Sequence, residues 1–289
     1  MRGVGTSRAA ISVVNALPLG VGAALAVEWP ARVAATLDRD APTGRAPTVR
    51  PRSSSTPIVR TAATAAQLRF GASGRLTLTV RSTIPVRKGL KSSSAVGTAV
   101  VQATARAAGL DPPPEDLARL VAEVGRSSGQ SATGAFDDAL AGAAGGGVVT
   151  DNAADRCLRR FDPGPGLSAV LWIPARRHPP SPTMVARFRR DPELAHRAAD
   201  AAVHGDWRTA MVANSELVES VMGYRYAPLR EAALRAGAIA AGVSGLGPAF
   251  AAVVPSGRSR AVLRTLPSGR GVRRTVPLYR PPRRRTGDR

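Results

Sequence analysis

Two lysines and three serines lie together in one short stretch of the chain. Lys88 and Lys91 are the only lysines among 41 basic residues, and they flank Gly89 and Leu90 just before Ser92–Ser94. A glycine turn that leads into a helix offers unpaired backbone N–H groups and the positive end of a helix dipole. Together with two ammonium groups and three hydroxyls, these donors predict a site that binds a phosphate-bearing anion.

A second cluster contains two adjacent acids, Asp137 and Asp138, shortly after Gly134. A carboxylate can orient an acceptor hydroxyl and take its proton, or it can bind a divalent cation. Two acids at the start of a helix are also stabilised by the helix dipole, so the pair alone does not specify catalysis. One cysteine and three histidines form no metal-binding spacing, and a metal ion would therefore be bound by oxygen.

Periodicity predicts the elements that position these clusters. Alternating apolar residues at 76, 78 and 80 predict a strand, and an Ala/Val-rich helix runs from the serines to Gly109. A second helix begins near Pro114, and the polar stretch 127–133 leads to the aspartates and then to an apolar strand at 148–150. Helical patterns in the second half cover 193–203, 206–222 and 229–236.

Composition restricts the class of protein. The 289 residues are 44% hydrophobic, yet no uninterrupted apolar run reaches the roughly 20 residues of a membrane-spanning helix. We therefore expect a soluble, cytoplasmic protein without a membrane partner. The net charge is +21, and eleven arginines follow residue 257, but aromatic stacking partners are scarce there, which disfavours nucleic acid as a partner. No pattern points to an oligomeric state.

The stretch from 85 to 95 resembles a known family. It follows the pattern Pro-x-x-x-Gly-Leu-x-Ser-Ser-Ala/Ser-Ala, which is the second motif of the GHMP small-molecule kinases, with Pro85, Gly89, Leu90, Lys91, Ser92, Ser93, Ser94 and Ala95. Lysine at the variable position, followed by three serines, is similar to the archaeal-type shikimate kinase branch. Further segments resemble that branch in the same order along the chain: 14–24, 133–139, 145–152 and 240–249.

The resemblance implies a two-domain α+β fold, with an N-terminal domain related to ribosomal-protein S5 domain 2 and a ferredoxin-like C-terminal domain. We place the ATP-binding domain at 1–165, including a Pro/Ser/Arg-rich loop at 38–60. The second domain is placed at 166–275, because the turn-forming residues 162–166 mark a boundary. A basic, disordered tail is predicted at 276–289.

The resemblance also implies an activity: ATP- and Mg²⁺-dependent phosphorylation of shikimate at its 3-hydroxyl. Asp137 is the expected base, and Lys91 is the second catalytic residue. ATP binding is expected at Pro85, Val86, Arg87, Lys88, Gly89, Leu90, Lys91, Ser92, Ser93, Ser94 and Ala95. Substrate contacts are expected from Asn15, Thr133, Asp137 and Gly245. The expected Mg²⁺ ligands are Ser93, Asp138 and the nearest upstream acid, Glu123.

Three apolar residues depart from the pattern of this branch. Leu19 and Leu246 stand where we expect threonine, and Val21 stands where lysine is often expected. They favour an alternative in which a kinase of the same superfamily acts on another small alcohol, such as a cyclitol or homoserine. A second alternative, from a different class, is a basic nucleic-acid-binding protein with a vestigial kinase site.

Overall fold

The first of two β-sheets is built from residues 2–161, together with four helices. This structure is a computed structural model that describes residues 1–54, 56–175, 184–269 and 271–280. The strands are β1 (Arg2–Val14), β2 (Val21–Asp38), β3 (Thr48–Arg50), β4 (Arg75–Ser82), β5 (Gly147–Asp151) and β6 (Arg156–Phe161). The helices are α1 (Pro57–Arg69), α2 (Ser92–Ala107), α3 (Pro114–Ser127) and α4 (Phe136–Ala144).

The strand β2 organises this sheet, whose order is β3-β4-β2-β5-β6 with β1 also paired to β2. Helix α2 packs very closely on β1, since a Cβ atom placed on Gly5 would lie 2.0 Å from the carbonyl oxygen of Ala99. Only glycine permits such an approach. A Cβ atom on Gly3 would lie 2.3 Å from the carbonyl oxygen of Ala103, and this packing directs the start of α2 toward the far end of β1.

The second sheet begins at Leu167, directly after the turn-forming residues 162–166. Its strands are β7 (Leu167–Pro174), β8 (Ala240–Val243), β9 (Phe250–Pro255) and β10 (Gly271–Pro277). Its helices are α5 (Met184–Phe188), α6 (Pro192–His204), α7 (Trp207–Met222), α8 (Ala227–Arg235) and α9 (Ser259–Thr265). The antiparallel order β10-β7-β9-β8, with helices between β7 and β8 and between β9 and β10, is the ferredoxin-like arrangement. The predicted two-domain α+β fold is confirmed.

The proline- and arginine-rich segment at 38–60 is more ordered than its composition predicts. Strand β3 lies within it, pairs in parallel with β4 and buries Val49. The first turn of α1 also falls inside the segment, because Pro57 suits the first position of a helix. Composition correctly marks loop residues at 39–47, but the later part of the prediction is wrong.

The predicted tail at 276–289 is ordered in its first five residues. Val276 is buried in β10, and Leu278 forms a β-bridge with Val27. The N–H of Tyr279 donates to the carbonyl oxygen of Ala26, at 2.9 Å. This end of β10 therefore joins the first sheet, and disorder is a wrong prediction for 276–280. The remainder of the predicted tail, 281–289, lies outside the described residues.

Two of the arginines lie over aromatic rings. The guanidinium of Arg274 lies 3.9 Å from the ring centre of Trp29, and that of Arg8 lies 3.3 Å from the ring centre of Tyr279. Contacts of this kind stabilise a fold through cation–π attraction. Of the helices in the described ranges, none has the length and apolar character needed to cross a bilayer.

Candidate active site

The glycine loop between β4 and α2 leads directly into an uncapped helix. Lys91 has left-handed backbone angles (φ 60°, ψ 30°), and α2 begins at the next residue without a side-chain cap. Gly89 has a φ of 82°, which favours glycine. Ser93 is exposed at the first turn of α2. The first N–H groups of the helix are therefore available to an anion.

This loop packs against the turn that follows β8. The Oγ of Ser244 donates to the carbonyl oxygen of Gly89 at 2.7 Å, and a Cβ atom on Gly89 would lie 1.9 Å from the carbonyl oxygen of Ser244. Ser12, in β1, joins the same network: its N–H donates to Ser244 Oγ, and its Oγ accepts from the N–H of Gly245. Strand β1, the loop and the turn thus form one hydrogen-bonded unit.

Two tyrosines fix this turn from its other side. The hydroxyl of Tyr224 donates to the carbonyl oxygen of Leu246 at 2.9 Å, and that of Tyr226 donates to the carbonyl oxygen of Pro248 at 3.1 Å. Their rings stack, with centroids 5.0 Å apart. The segment 240–249 therefore supports the glycine loop from behind.

The two lysines of the loop have different surroundings. Lys88 is 8% exposed, and its Nζ donates to the carbonyl oxygens of Pro174 and Ala175 at 2.6 and 2.7 Å. Lys91 points to the start of α4, where its Nζ lies 3.1 Å from Oδ1 of Asp138. Lys88 holds the loop to the end of β7, while Lys91 provides the positive charge that faces the aspartates.

Both aspartates lie in the first turn of α4 and are nearly buried. Asp137 is 4% exposed, and its Oδ1 accepts from Nδ2 of Asn152 at 2.8 Å. The Oδ1 of Asn152 accepts in turn from the Thr150 hydroxyl at 2.7 Å. A Cβ atom on Gly22 would lie 2.7 Å from Cγ of Asp137. Strands β2 and β5 thus fix the orientation of this carboxylate.

Asp138 has an environment that suits proton exchange at neutral pH. Burial raises the pKa of Asp138 to about 7, with a further rise from the nearby Asp137 charge, while Lys91 opposes the shift. Its Oδ1 is buried and has no hydrogen bond with conventional geometry, although Lys91 lies within ion-pair distance. A carboxyl group whose pKa is close to the working pH is well matched to acid–base chemistry.

A cleft of about 510 Å³ opens beside the aspartates. It is lined by residues 16–20 between β1 and β2, by Ala132 and Thr133 before α4, and by Arg126, Asn152, Ala153 and Arg189. Asn152 reaches both the cleft and Asp137. The volume is in the range of small-molecule sites. A small acceptor in this cleft would therefore lie next to the residue that orients Asp137.

Of the predicted substrate contacts, only Thr133 lines this cleft. Asn15 serves the turn instead: its Oδ1 accepts from the N–H of Leu17 at 3.0 Å, which is the local bond that asparagine often makes in turns. Gly245 lies beside the glycine loop, where a Cβ atom would be 3.2 Å from Nζ of Lys91. Neither residue is among those that line the cleft.

Glu123 and the aspartates lie on different helices, α3 and α4. Glu123 is exposed on α3, whose buried face contains Leu120, Val121 and Val124. Among the residues that the structure describes, no group of three or more His, Cys, Asp or Glu side chains is arranged to hold a metal ion. The metal-ligand role of Glu123 stays a prediction.

The three departures from the family pattern occupy different places. Leu19 lines the cleft, so it bears on the choice of acceptor. Val21 pairs with Asp151 between β2 and β5. Leu246 packs against the core of the second sheet, and its backbone, rather than its side chain, binds Tyr224. Of the three, the cleft contains only Leu19.

Sequence reasoning missed several residues that the structure places at the site: Asn152, Gly22, Arg126 and Arg189. Asn152 and Gly22 fall inside segments that resemble the family, yet nothing local assigns them a role. Arg126 and Arg189 are two among 39 arginines, and sequence alone does not distinguish them. Asn152, Arg126 and Arg189 line one cleft, and Gly22 lies against Asp137; only the fold shows these positions.

An uncapped helix start lies on one side of the Lys91–Asp138 contact, and an oriented carboxylate lies on the other. This arrangement suits transfer of a phosphoryl group to a hydroxyl. The class of protein that this arrangement defines is a small-molecule kinase. The chain matches the GHMP kinases N terminal domain over residues 57–146 and the GHMP kinases C terminal domain over residues 195–269. It belongs to the GHMP kinase family.

Relatives within this family confirm the resemblance to its archaeal-type branch. A shikimate kinase from Pyrococcus abyssi (strain GE5 / Orsay) is 34% identical over 255 residues, which are 88% of this chain and 92% of the relative. A shikimate kinase from Methanocella arvoryzae is 31% identical over 254 residues, 88% of this chain and 85% of the relative. The Methanococcus jannaschii mevalonate kinase structure has a TM-score of 0.73 at 12% identity, covering 96% of this chain and 98% of that one, and it supports the fold.

Proposed function

We propose that this enzyme transfers the γ-phosphoryl group of ATP to the 3-hydroxyl of shikimate, which yields shikimate 3-phosphate for the synthesis of chorismate and aromatic amino acids. The observation that carries the proposal is the contact between Lys91 and Asp138, at 3.1 Å. It brings the start of α4 next to the glycine loop. Matches to two shikimate kinases, 34% and 31% identical over 88% of this chain, support shikimate as the acceptor.

The residues present fit ATP and Mg²⁺. The uncapped start of α2 offers backbone N–H groups to phosphate oxygens, and Lys91 adds positive charge beside them. Mg²⁺ commonly takes one or two protein oxygens and completes its shell with phosphate and water. The exposed Ser93 hydroxyl and the buried Oδ1 of Asp138, which lacks a conventional hydrogen bond, are the oxygens that would hold the ion. When bound, ATP supplies the phosphoryl group, and Mg²⁺ neutralises charge on the phosphates.

Asp137 is the residue that we assign to the acceptor hydroxyl. Its partner Asn152 lines the cleft, whereas Asp138 faces Lys91 on the phosphate side. Asp137 orients the hydroxyl and accepts its proton as the oxygen–phosphorus bond forms and the bond from the γ-phosphorus to the bridging oxygen breaks. ADP leaves with the electron pair of that bond. Asn152 keeps the receiving carboxylate in position, because it donates to Oδ1.

A coupled assay of ADP release tests this function. The wild-type chain should release ADP only when shikimate is present, and phosphorus NMR should show one phosphate ester, at the 3-position. Homoserine and a cyclitol serve as comparison acceptors. ADP release that is independent of shikimate, or faster turnover of either comparison acceptor, would contradict the proposal. Salt-sensitive DNA binding that is lost on removal of residues 281–289, without kinase activity, would support the nucleic-acid alternative instead.

A further inference from the structure

The residues that line the acceptor cleft, as far as the structure describes them, include basic side chains and no acidic one. Arg126 and Arg189 both line the cleft, and none of its described lining residues is acidic. A cleft with one sign of charge on low-dielectric walls concentrates the opposite charge. The cleft is therefore built to receive an acceptor that carries an anionic group in addition to its reacting hydroxyl.

The charge of Arg126 is already balanced within the protein. Its Nη1 donates to Oδ1 of Asp155 at 2.9 Å, and its Nη2 donates to the other carboxylate oxygen of the same residue. Nη1 also lies 3.4 Å from the carbonyl oxygen of Asn152. The hydrogen bond to Asp155 raises the pKa of Arg126 further above its ordinary value. Arg126 shapes the cleft as half of an ion pair.

Arg189 has no such partner. It is exposed just after α5, and no hydrogen bond or ion pair connects its side chain to any other residue in the described ranges. A guanidinium group presents two parallel N–H donors that match the two oxygens of a carboxylate. Arg189 is therefore the lining residue whose charge is available to an acceptor.

The other parts of the cleft agree with a hydroxy acid as its occupant. Asn152 lines the same cleft and holds Asp137, so the hydroxyl end of the acceptor belongs beside Asn152. Leu17 and Leu19 provide an apolar wall that suits a carbon ring. The charge of Arg189, with no acidic residue among the described lining residues, disfavours the ammonium group that an amino-acid acceptor such as homoserine would bring into the cleft.

The geometry points to Arg189 as the residue that binds the carboxylate of the acceptor, so that the cleft selects a hydroxy acid over a neutral polyol or an amino alcohol. This assignment rests on the proposed function, because it takes the cleft to be the acceptor site of the kinase. It names which of the 39 arginines determines specificity for the acceptor, a question that the family resemblance leaves open.

The test compares two acceptors that differ only in charge: shikimate and its methyl ester. Kinetics are measured with the wild type, Arg189→Ala, Arg189→Lys and the neighbouring control Arg190→Ala, which lies outside the cleft lining. The wild type should prefer the acid over the ester in kcat/KM by about 10- to 150-fold, the range for a hydrogen bond to a charged group. Arg189→Ala should reduce this ratio to about 1, with turnover of the ester and KM for ATP unchanged.

Arg189→Lys should keep part of the preference, and Arg190→Ala should keep all of it. Calorimetric titration of shikimate into each folded variant without ATP should rank them in the same order. A full acid preference in Arg189→Ala, or an equal loss in Arg190→Ala, would overturn the assignment. If the wild type phosphorylates neither compound, the proposed function fails. Other hydroxy acids and their neutral amides, bound to the wild type and to Arg189→Ala, then decide whether Arg189 selects a carboxylate.

Discussion

Nζ of Lys91 lies 3.1 Å from Oδ1 of Asp138, and this contact joins the starts of two helices, α2 and α4. Each helix begins directly after a residue with left-handed backbone angles, Lys91 (φ 60°) and Ala135 (φ 55°), and neither start has a side-chain cap. Two positive helix ends therefore converge on one point. Phosphate groups and carboxylates are both stabilised there, which brings the nucleotide side and the proton-accepting side of the site together.

The first prediction concerns the pH dependence of activity. Because burial raises the pKa of Asp138 to about 7, kcat/KM for ATP should rise with pH and level off above pH 7, as Asp138 loses its proton. Asp138→Asn should have a low kcat/KM that does not follow this rise. A wild-type profile that is flat between pH 5.5 and 8.5 would show that Asp138 does not titrate in this range.

The same pKa predicts the pH dependence of stability. In the unfolded chain Asp138 has its ordinary pKa of 3.8, so between that pH and about 7 the folded state binds the proton more tightly. The stabilisation from this group is complete below pH 3.8 and is lost as the pH rises toward 7. Relative to Asp138→Asn, the wild type should lose free energy of unfolding between pH 5 and pH 8 in urea denaturation. An equal pH dependence in the two proteins would contradict this reasoning.

Gly22→Ala should reduce catalysis without removing a catalytic group. The added methyl would lie 2.7 Å from Cγ of Asp137, so the carboxylate must move. We expect kcat to fall by about 100-fold, since small displacements of reacting groups have effects of this order. Gly257→Ala is the control, because a Cβ atom added there would have no described residue within 4 Å apart from its chain neighbours. Wild-type kcat in Gly22→Ala would show that the position of Asp137 is not important.

Gly89→Ala tests the contact between the glycine loop and the turn after β8. A Cβ atom there would lie 1.9 Å from the carbonyl oxygen of Ser244, so the loop must separate from the turn. KM for ATP should rise at least about 10-fold, as a loss of about 1.4 kcal/mol of binding would produce. Gly71→Ala is a matched control, because Gly71 also has a positive φ (60°), but a Cβ atom added there would have no described residue within 4 Å apart from its chain neighbours. A wild-type KM for ATP in Gly89→Ala would contradict the importance of the contact, and an equal rise in Gly71→Ala would attribute the effect to backbone strain.

Arg230 is predicted to be important for stability rather than activity. It forms an ion pair with Glu219 beneath β8, where both side chains are about 90% buried. Arg230→Met should lower the free energy of unfolding by about 3–5 kcal/mol, because Glu219 remains buried without its partner. The exposed pair of Arg235 and Glu231 is the comparison, and Arg235→Met should cost at most about 0.5 kcal/mol. Equal costs in urea denaturation would contradict the importance of burial.

The local elements of the site could be predicted from the sequence. The glycine at 89, the serines at 92–94 and the small residues after them are signals that act within a few positions, and α2 begins where they predict. The paired acids at 137 and 138 likewise mark the start of α4. In both segments, local backbone preference and the final fold agree.

The residues that connect these elements could not be predicted in this way. Gly22 pairs with Thr150 across β2 and β5, and this long-range register places Asn152 beside Asp137. Lys88 and Lys91 lie in the same glycine loop, and the sequence does not distinguish their roles. In the fold, the ammonium group of Lys88 donates to the carbonyl oxygens of residues 174 and 175, which lie 86 and 87 residues later in the chain. Such contacts depend on which segments the two sheets bring together, and no local pattern records them.

Asp137 is the carboxylate that we assign to the proton of the acceptor hydroxyl. The value of kcat for Asp137→Asn in the shikimate-dependent assay measures this role. We predict a fall of about 10²- to 10⁴-fold, the usual contribution of a general base, with KM for ATP and the melting temperature near wild-type values. If Asp137→Asn keeps kcat within about three-fold of the wild type, another group accepts the proton and the assignment of Asp137 is wrong.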